Sequence, residues 1–213
     1  MTGVAATQLR VPYIIAHADE AAPQPLSFVR KPFGGLRLTY GDPRRGDTVN
    51  GVLRARVLNT RQGAPQWRML NTLRQWRCMT KNLCQVCGKI ATDPETGRIP
   101  WITTATAFRE IPEISTSGYT SAPATCAACI PESLSMCPQL HVSSAVWTVS
   151  TATPAAVLAD MFRPDPAGRA VHTGEHNVFV GLDERDLLRS ALATQLVVRI
   201  QDMQPAPHLA GTP

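Results

Sequence analysis

Four cysteines occur as two Cys-x-x-Cys pairs, and this spacing indicates a metal site. Cys84 and Cys87 form the first pair, and Cys126 and Cys129 form the second, with 38 residues between the pairs. Each pair can present two thiolates from a tight turn, and four thiolates make the closed tetrahedral site that suits structural zinc. Gly88 lets the chain turn back so that amide N–H groups point at the sulfurs. The second pair stands at a predicted helix start, where the helix dipole stabilises thiolate charge. The sequence therefore predicts one structural Zn²⁺ on these four cysteines.

Three other chemistries use Cys-x-x-Cys pairs. A thioredoxin-type redox centre needs one pair at a strand-to-helix turn, and the second pair argues against it. A zinc deaminase needs an upstream His-x-Glu and a Pro-Cys-x-x-Cys. Here no His-x-Glu precedes the second pair, and Pro123 lies two residues too far from Cys126. An iron–sulfur cluster uses the same four thiolates and remains an alternative that colour would reveal.

Other cysteine and histidine residues are weaker candidates for chemistry. Cys137 and His141 have a ligand-like Cys-x-x-x-His spacing, but we expect Cys137 to pack as a small buried hydrophobe. The segment 172–176, HTGEH, places two histidines around Glu175. Its Thr-Gly step predicts a turn in a loop, and the zincin pattern His-Glu-x-x-His is not present. If the protein is an enzyme, the candidate catalytic residues are Cys137, His141 and Glu175.

Positive charge is concentrated in one quarter of the chain. The formal net charge is +5, but residues 30–81 hold twelve Lys or Arg against only Asp42 and Asp47. Residues 82–213 hold eight basic and twelve acidic residues. Arginine-rich composition is also typical of high-GC coding sequences, whatever the function. The asymmetry nevertheless predicts a surface for an anionic partner, nucleic acid first.

A helix and a hairpin are predicted to carry this charge. Pro65 begins a predicted helix over 65–83, with an apolar side and a second stripe of basic residues. Alternating residues predict strands over 36–42 and 51–59, joined as a hairpin by the turn GDPRRGD. The predicted anion-binding residues are Arg54, Arg56, Arg74, Arg77 and Lys81, with Trp67 available for stacking.

The rest of the pattern predicts an α+β fold. It has small mixed sheets and a few helices around a treble-clef or zinc-ribbon-like site of four cysteines. We expect an irregular arm over 1–29, a single domain over 30–203 with a zinc module at about 78–140, and a disordered tail over 204–213. The remaining predicted elements are strands over 99–108, 140–152 and 176–183, a loop over 114–125, a short helix from Cys126 to Pro138, a short helix or bent strand over 154–162, and a helix that becomes a strand over 184–200.

The composition predicts a cytoplasmic protein. No apolar run approaches the roughly 20 residues that span a bilayer, and the N-terminal sequence lacks the basic start and long apolar stretch of a secretory signal. In a reducing compartment, paired Cys-x-x-Cys motifs bind metals more often than they form disulfides.

Several motifs together resemble one group of proteins. They are the Gly-Val-Leu-x-Ala-Arg strand at 51–56, the Arg-Gln-x-Arg-x-Met helix at 74–79, the Cys-Gln-Val-Cys-Gly knuckle at 84–88, and a second Cys-x-x-Cys followed by Cys137-Pro138. This pattern resembles a group of uncharacterised actinobacterial proteins over about residues 36–140. The resemblance implies a zinc site within one integrated domain, and it implies no particular activity.

Three functions are consistent with these patterns. The leading hypothesis is a zinc-stabilised interaction module that binds an anionic partner through its basic helix and hairpin. The alternative is a small biosynthetic or modifying enzyme with a structural zinc and an arginine-lined pocket for a carboxylate or phosphate substrate. The third is a protein-binding adaptor. A pocket lined by those arginines and by Cys137 would favour the enzyme.

Overall fold

Strands dominate the structure, and the helices between them are short. The computed structural model describes residues 10–31, 35–111 and 114–210. In chain order the strands are β1 (Ile15–His17), β2 (Leu26–Lys31), β3 (Gly35–Tyr40), β4 (Thr48–Val49), β5 (Val52–Leu53), β6 (Pro65–Leu70), β7 (Ile99–Thr103), β8 (Phe108–Ile111), β9 (Ile114–Thr120), β10 (Ala145–Val149), β11 (Thr151–Pro164), β12 (Ala170–His172), β13 (Val178–Gly181), β14 (Ala191–Gln201) and β15 (Gln204–Pro205). The α-helices are α1 (Thr72–Lys81), α2 (Ile130–Met136), α3 (Pro138–Val142) and α4 (Arg185–Leu188).

The largest sheet has six strands and is antiparallel. Its order is β12-β11-β14-β9-β8, and β13 also pairs with β11. The central strand, β14, has the aliphatic sequence ALATQLVVRI, and most of its residues are buried because it has a strand on each side. Such a run of aliphatic and β-branched residues favours a buried strand. Smaller antiparallel sheets join β7, β10 and β15, β1 and β6, β2 and β3, and β4 and β5.

Helix α1 packs on the central strand of this sheet. Trp76 and Met79 are buried in the main core together with Leu196 of β14. Gln75 is also fully buried: its amide nitrogen donates to the carbonyl of Leu196 at 2.8 Å, and its oxygen accepts the N–H of the same residue at 2.9 Å. A buried amide with both ends paired fixes the helix against the strand. This contact positions the segment that enters Cys84.

The predicted helix over 65–83 is wrong in its first third. Residues 65–70 form β6, which pairs with β1, and the helix begins only after Asn71. Asn71 is fully buried; its side-chain oxygen accepts the N–H of Arg74 at 3.1 Å, and its amide donates to the carbonyl of Leu58 at 2.8 Å. This side chain therefore caps the helix and ties its start to another segment.

The predicted hairpin is also wrong. Strand β3 confirms the predicted strand at 36–42, but it pairs with β2 and not with residues 51–59. Of residues 51–59, only Val52–Leu53 form a strand, and it pairs with the two residues of β4. Beyond it, Arg54 makes one parallel bridge to Ala193 of the large sheet. Arg54 and Ala55 are thus held by the large sheet, whereas Val57 and Leu58 bond to Ala21 and Glu20. A local alternation pattern cannot show these long-range contacts.

Several segments predicted to be irregular are ordered. Strand β1 and the first four residues of β2 lie within the predicted arm over 1–29, of which residues 1–9 fall outside the described residues. Strand β9 occupies most of the predicted loop at 114–125. Residues 204–205 and 207–210 form β15 and a 3-10 turn, while 211–213 fall outside the described residues.

Predictions nearer the C-terminus agree better with the structure. Residues 127–136 are helical, and the predicted helix-to-strand segment is α4 followed by β14. Strands β7, β10 and β13 lie within the three predicted strand segments, and residues 154–162 belong to β11. In the part of the chain that the structure describes, no helix is long and apolar enough to cross a membrane.

Candidate metal centre

The structure brings the four predicted ligands together. The sulfurs of Cys84, Cys87, Cys126 and Cys129 all lie within 4.8 Å of one another, and those of Cys87 and Cys126 are 3.8 Å apart. Zinc–thiolate bonds of about 2.3 Å in a tetrahedron place the sulfurs about 3.8 Å apart. None of the four is in a disulfide. The four side chains therefore match the size of a tetrahedral thiolate site.

A tight turn presents the first pair. The N–H of Gly88 donates to the carbonyl of Cys84 at 2.8 Å, and the N–H of Val86 lies 3.4 Å from the Cys84 sulfur. Gly88 has a φ of +72°, and a Cβ at this position would lie 2.9 Å from the ring of Tyr13. Both the left-handed backbone and the aromatic contact require glycine here.

The second pair comes from the start of a helix, as its spacing predicts. Cys126 precedes a 3-10 turn over Ala127–Cys129 that continues into α2. Gln85 joins the two halves of the site, because its N–H donates to the carbonyl of Ala124 at 2.8 Å and its side chain donates to Thr125 at 2.9 Å. The knuckle and the second pair are thus held in register by groups outside the sulfurs themselves.

The electrostatics of the site favour a bound cation. Burial and the nearby Cys84 sulfur raise the pKa of Cys126 to about 11, and burial and the neighbouring sulfurs also raise the pKa of Cys129. Burial acts in the same direction on Cys87, but hydrogen bonds from the Lys89 N–H and the adjacent thiols lower its pKa overall. Ionising Cys126 and Cys129 beside the other sulfurs is therefore costly without a metal, and a divalent cation would remove this cost.

The other cysteines lie outside the ligand group. Cys78 is completely buried on α1, where burial raises the pKa of its thiol to about 12. It is therefore a neutral side chain at physiological pH. Cys137 lies between α2 and α3 and is half-buried, which is less than the predicted burial. His141 on α3 is exposed.

Arg74 does not lie on the predicted basic stripe. Its side chain is 1% exposed, and its guanidinium donates to the carboxylate of Glu20 at 2.6 Å and to the carbonyl of Ile15 at 2.8 Å. The Glu20 carboxylate also accepts the backbone N–H groups of His17 and Arg61, both at 2.9 Å. Burial alone would raise the pKa of Glu20, but these hydrogen bonds lower it to about 2. Arg74 is thus half of a buried ion pair, and its prediction as an anion-binding residue is wrong.

Arg54 and Arg56 line a surface cleft of about 330 Å³, together with Arg44 and Arg45. Arg56 is neutralised in part, because it pairs with Asp42 and Asp47 at 2.7 Å each. Arg54 donates to the carbonyl of Gly46 at 3.0 Å, and its guanidinium lies 5.6 Å from the centre of the Trp76 ring. Cys137 does not line this cleft.

The remaining predicted anion-binding residues are exposed. Arg77 and Lys81 lie one turn apart on α1, and Trp67, which is 47% exposed, lies on β6 rather than on the helix. Arg61, which the sequence patterns did not single out, adds to them: its guanidinium lies 5.9 Å from the ring centre of Tyr13, whose hydroxyl is 3.5 Å from Arg77. We call Arg61, Arg77 and Lys81 the basic face.

The HTGEH segment forms the predicted turn, between β12 and β13. The Glu175 side chain accepts a hydrogen bond from Thr173 at 3.0 Å and is exposed. Among the described residues, no hydrogen bond joins Glu175 to Cys137 or His141. The turn does bring His172 and His176 to Asp160 of β11. Asp160 lies within a strand of ordinary composition, and no local pattern marked it.

No protein-family model, curated protein or solved structure matches this chain.

Proposed function

We propose that this protein is a zinc-stabilised module that binds an anionic partner, nucleic acid first, through the basic face and the neighbouring arginine cleft. The basic face adjoins the metal knuckle, because Tyr13 contacts both Arg77 and Gly88. A folded metal centre would therefore fix the geometry of the cations. Phosphates are the natural partners of such arginines and lysines, and the exposed Trp67 offers a surface for base stacking.

One observation carries this proposal: the basic stretch is not neutralised by the acidic part of the chain. Among the described side chains of residues 30–81, only three basic ones form ion pairs, and their partners are Asp42, Asp47 and Glu20. The described acidic residues after residue 82 that form ion pairs do so with Arg10, Arg98, Arg169, His176 and Arg189. The excess positive charge of the stretch therefore remains available to a partner.

The polyanion prediction is tested with a double variant of the basic face, Arg77→Glu/Lys81→Glu. Binding of a short labelled duplex should weaken with salt by about 0.9 log units per log unit of salt for each phosphate neutralised. The double variant should weaken binding to all sequences alike and reduce this slope by about 2. Fluorescence anisotropy over a salt series measures both quantities. Because both side chains are exposed, the melting temperature should change little.

The matched control is Arg163→Glu/Arg185→Glu, which makes the same change in net charge at exposed arginines outside the basic stretch. This control should bind nearly as the wild type does. If both double variants weaken binding equally, the effect is due to net charge and not to the basic face. Absence of binding at low salt would refute the proposal.

We infer that the metal is zinc. The knuckle at 84–88 and a second pair at a helix start are the components of zinc ribbons and treble clefs, and the four-thiolate set fits structural Zn²⁺. Elemental analysis should return one equivalent of zinc for the four-cysteine centre in colourless protein, whereas iron and a brown colour would indicate the iron–sulfur alternative. Free thiols and a thiolate-bound metal are also suited to a reducing cytoplasm.

Two cysteine variants test the ligand assignment. Cys84→Ser should lose the zinc of this centre and destabilise the fold, because structural metal binding contributes directly to folding free energy. Cys137→Ser should retain that zinc, since Cys137 is not in the group of sulfurs within 4.8 Å. Equal loss of this zinc in both variants would show that the site is larger than the four cysteines.

The arginine cleft supports a second candidate function, binding of a small carboxylate or phosphate. Its volume of about 330 Å³ lies at the lower end of the range for small-molecule sites. Cys137, His141 and Glu175 do not line it, so the observation favours binding rather than catalysis. Calorimetric titration with inorganic phosphate tests this candidate. The wild type should bind phosphate, and Arg54→Gln should bind it more weakly.

A further inference from the structure

We propose that Asp160, His172 and His176 form a second binding site, for a divalent transition-metal ion, separate from the four-cysteine centre. This inference does not depend on the proposed function, because it concerns other residues on other elements. The ligand atoms of the three side chains lie within 4.8 Å of one another.

The sheet and one turn build this cluster. Strand β12 pairs with β11 so that His172 is opposite Phe162, two residues after Asp160 on the same strand. The turn that follows β12 folds back onto β11, where the N–H of Thr173 donates to the carbonyl of Met161 at 2.9 Å and the N–H of Met161 donates to the carbonyl of Glu175 at 3.1 Å. Two backbone hydrogen bonds thus hold the turn in place and bring His176 over Asp160.

The contacts within the cluster suit a metal site. His176 Nδ1 lies 2.9 Å from Asp160 Oδ1, and the two imidazole rings are 4.3 Å apart at their centres with an angle of 31° between them. Nitrogen and oxygen ligands at about 2.0–2.2 Å from zinc require donor separations of this order or slightly more. His176 is largely exposed, so its ring can rotate to complete the geometry.

An unpaired nitrogen points independently to a ligand. His172 Nε2 is buried and has no hydrogen-bond partner, whereas Nδ1 accepts the N–H of Gly174 at 2.8 Å. Buried polar atoms without partners are rare and costly. A pairing of His176 with Asp160 would explain those two residues, but it leaves the His172 nitrogen unexplained, and a metal ion would satisfy it.

Metal binding through Nε2 requires one local change. The ring proton must then move to Nδ1, so the Gly174 N–H can no longer donate to it. Gly174 has a φ of +91° and no heavy atom within 4 Å of the place where a Cβ would lie. The peptide therefore has room to turn away, and the cost is one exposed hydrogen bond.

The donor set defines the class of ion. Two imidazoles and one carboxylate suit zinc, nickel, cobalt, copper or ferrous iron, while calcium and magnesium prefer sites made entirely of oxygen ligands. Three protein ligands leave at least one coordination position for water or for another external ligand. In this respect the site differs from the closed four-thiolate centre.

Cobalt titration tests the proposal with the full-length protein that holds zinc at the four cysteines only. Added Co²⁺ should bind with one further equivalent and give visible ligand-field bands without the near-ultraviolet charge-transfer bands of cobalt–thiolate bonds. His176→Gln and Asp160→Asn should each weaken this binding by about tenfold or more. His208→Gln, an exposed histidine outside the cluster, is the matched control and should leave it unchanged.

His176 is exposed, so its variant should remain folded, and a melting curve verifies this. Absence of a second equivalent in the folded wild type would overturn the proposal. So would equal cobalt affinity in wild type and His176→Gln, or a release of zinc that accounts for all of the cobalt bound.

Discussion

At the scale of single residues, the pair of Arg74 and Glu20 shows why charge counting misplaced one cation. Arg74 occurs in a run of basic residues, yet its partner lies 54 residues earlier in the chain. A buried guanidinium and carboxylate are stable only when both are present and hydrogen-bonded. The role of Arg74 therefore changes from recognition to holding α1 against the N-terminal segment.

Replacing Arg74 by methionine should be strongly destabilising. The change leaves the Glu20 carboxylate buried without its main partner, and such losses typically cost about 3–5 kcal/mol of unfolding free energy. The matched control is Arg77→Met on the same helix, where the side chain is exposed and the expected change is within about 0.5 kcal/mol. Denaturant unfolding of both variants measures the difference.

The pH dependence of the stability difference between wild type and Arg74→Met identifies the cause of that difference. The folded pKa of Glu20 is about 2, below its ordinary value of 4.5, so the stability it contributes is present above pH 4.5 and is lost as the pH falls towards 2. The gap between wild type and Arg74→Met should therefore narrow over this range. A gap that stays constant with pH would assign the loss to packing instead of charge.

At the scale of elements, the junction between β6 and α1 depends on one buried asparagine. Asn71 ends the strand, caps the helix and bonds to the Leu58 carbonyl. Its own N–H donates to the carbonyl of Ile14, next to β1. The apolar pattern of 65–83 fits a helix, but the pairing of β6 with β1 outweighs that preference.

Removing this buried cap should destabilise the fold more than removing a solvent-exposed helix cap does. Asn71→Ala loses the helix cap, which leaves the buried N–H of Arg74 unpaired at a cost of about 1–3 kcal/mol. It also removes the hydrogen bond to the carbonyl of Leu58, a half-exposed residue, which is worth about 1 kcal/mol. We expect a loss of about 2–4 kcal/mol in the unfolding free energy, measured by chemical denaturation.

Asn71→Ser serves as the comparison, because its uncharged hydroxyl oxygen can still cap the helix but cannot replace the amide that binds Leu58. It should be intermediate in stability. If Asn71→Ala matches the wild type within about 0.5 kcal/mol, a figure typical of unconstrained surface positions, the junction does not depend on this side chain.

At the scale of the whole molecule, features encoded by local sequence could be predicted, whereas features set by contacts between distant segments could not. The cysteine cluster could be predicted because both Cys-x-x-Cys pairs encode their own turns, and the helix after Cys126 and the strand β14 follow from local patterns. The pairing partners of β3, of residues 51–59 and of Arg74 could not be predicted, because each is set by contacts between distant segments. The cluster of Asp160 with two histidines is likewise a product of strand register, which no spacing in the sequence reveals.

The position of β14 in the large sheet has a consequence for synthesis on the ribosome. Its neighbours β9 and β11 are made first, and α1, made earlier still, binds β14 through Gln75 and Leu196 across 121 residues. Until β14 has left the ribosome, both neighbours expose an unpaired edge, and the apolar side of α1 lacks the strand that covers most of it. Such distant contacts make folding slow and favour chaperone binding to the nascent chain. The four cysteines leave the ribosome before β14, so a metal bound by them would join the knuckle to α2 while the large sheet is still incomplete.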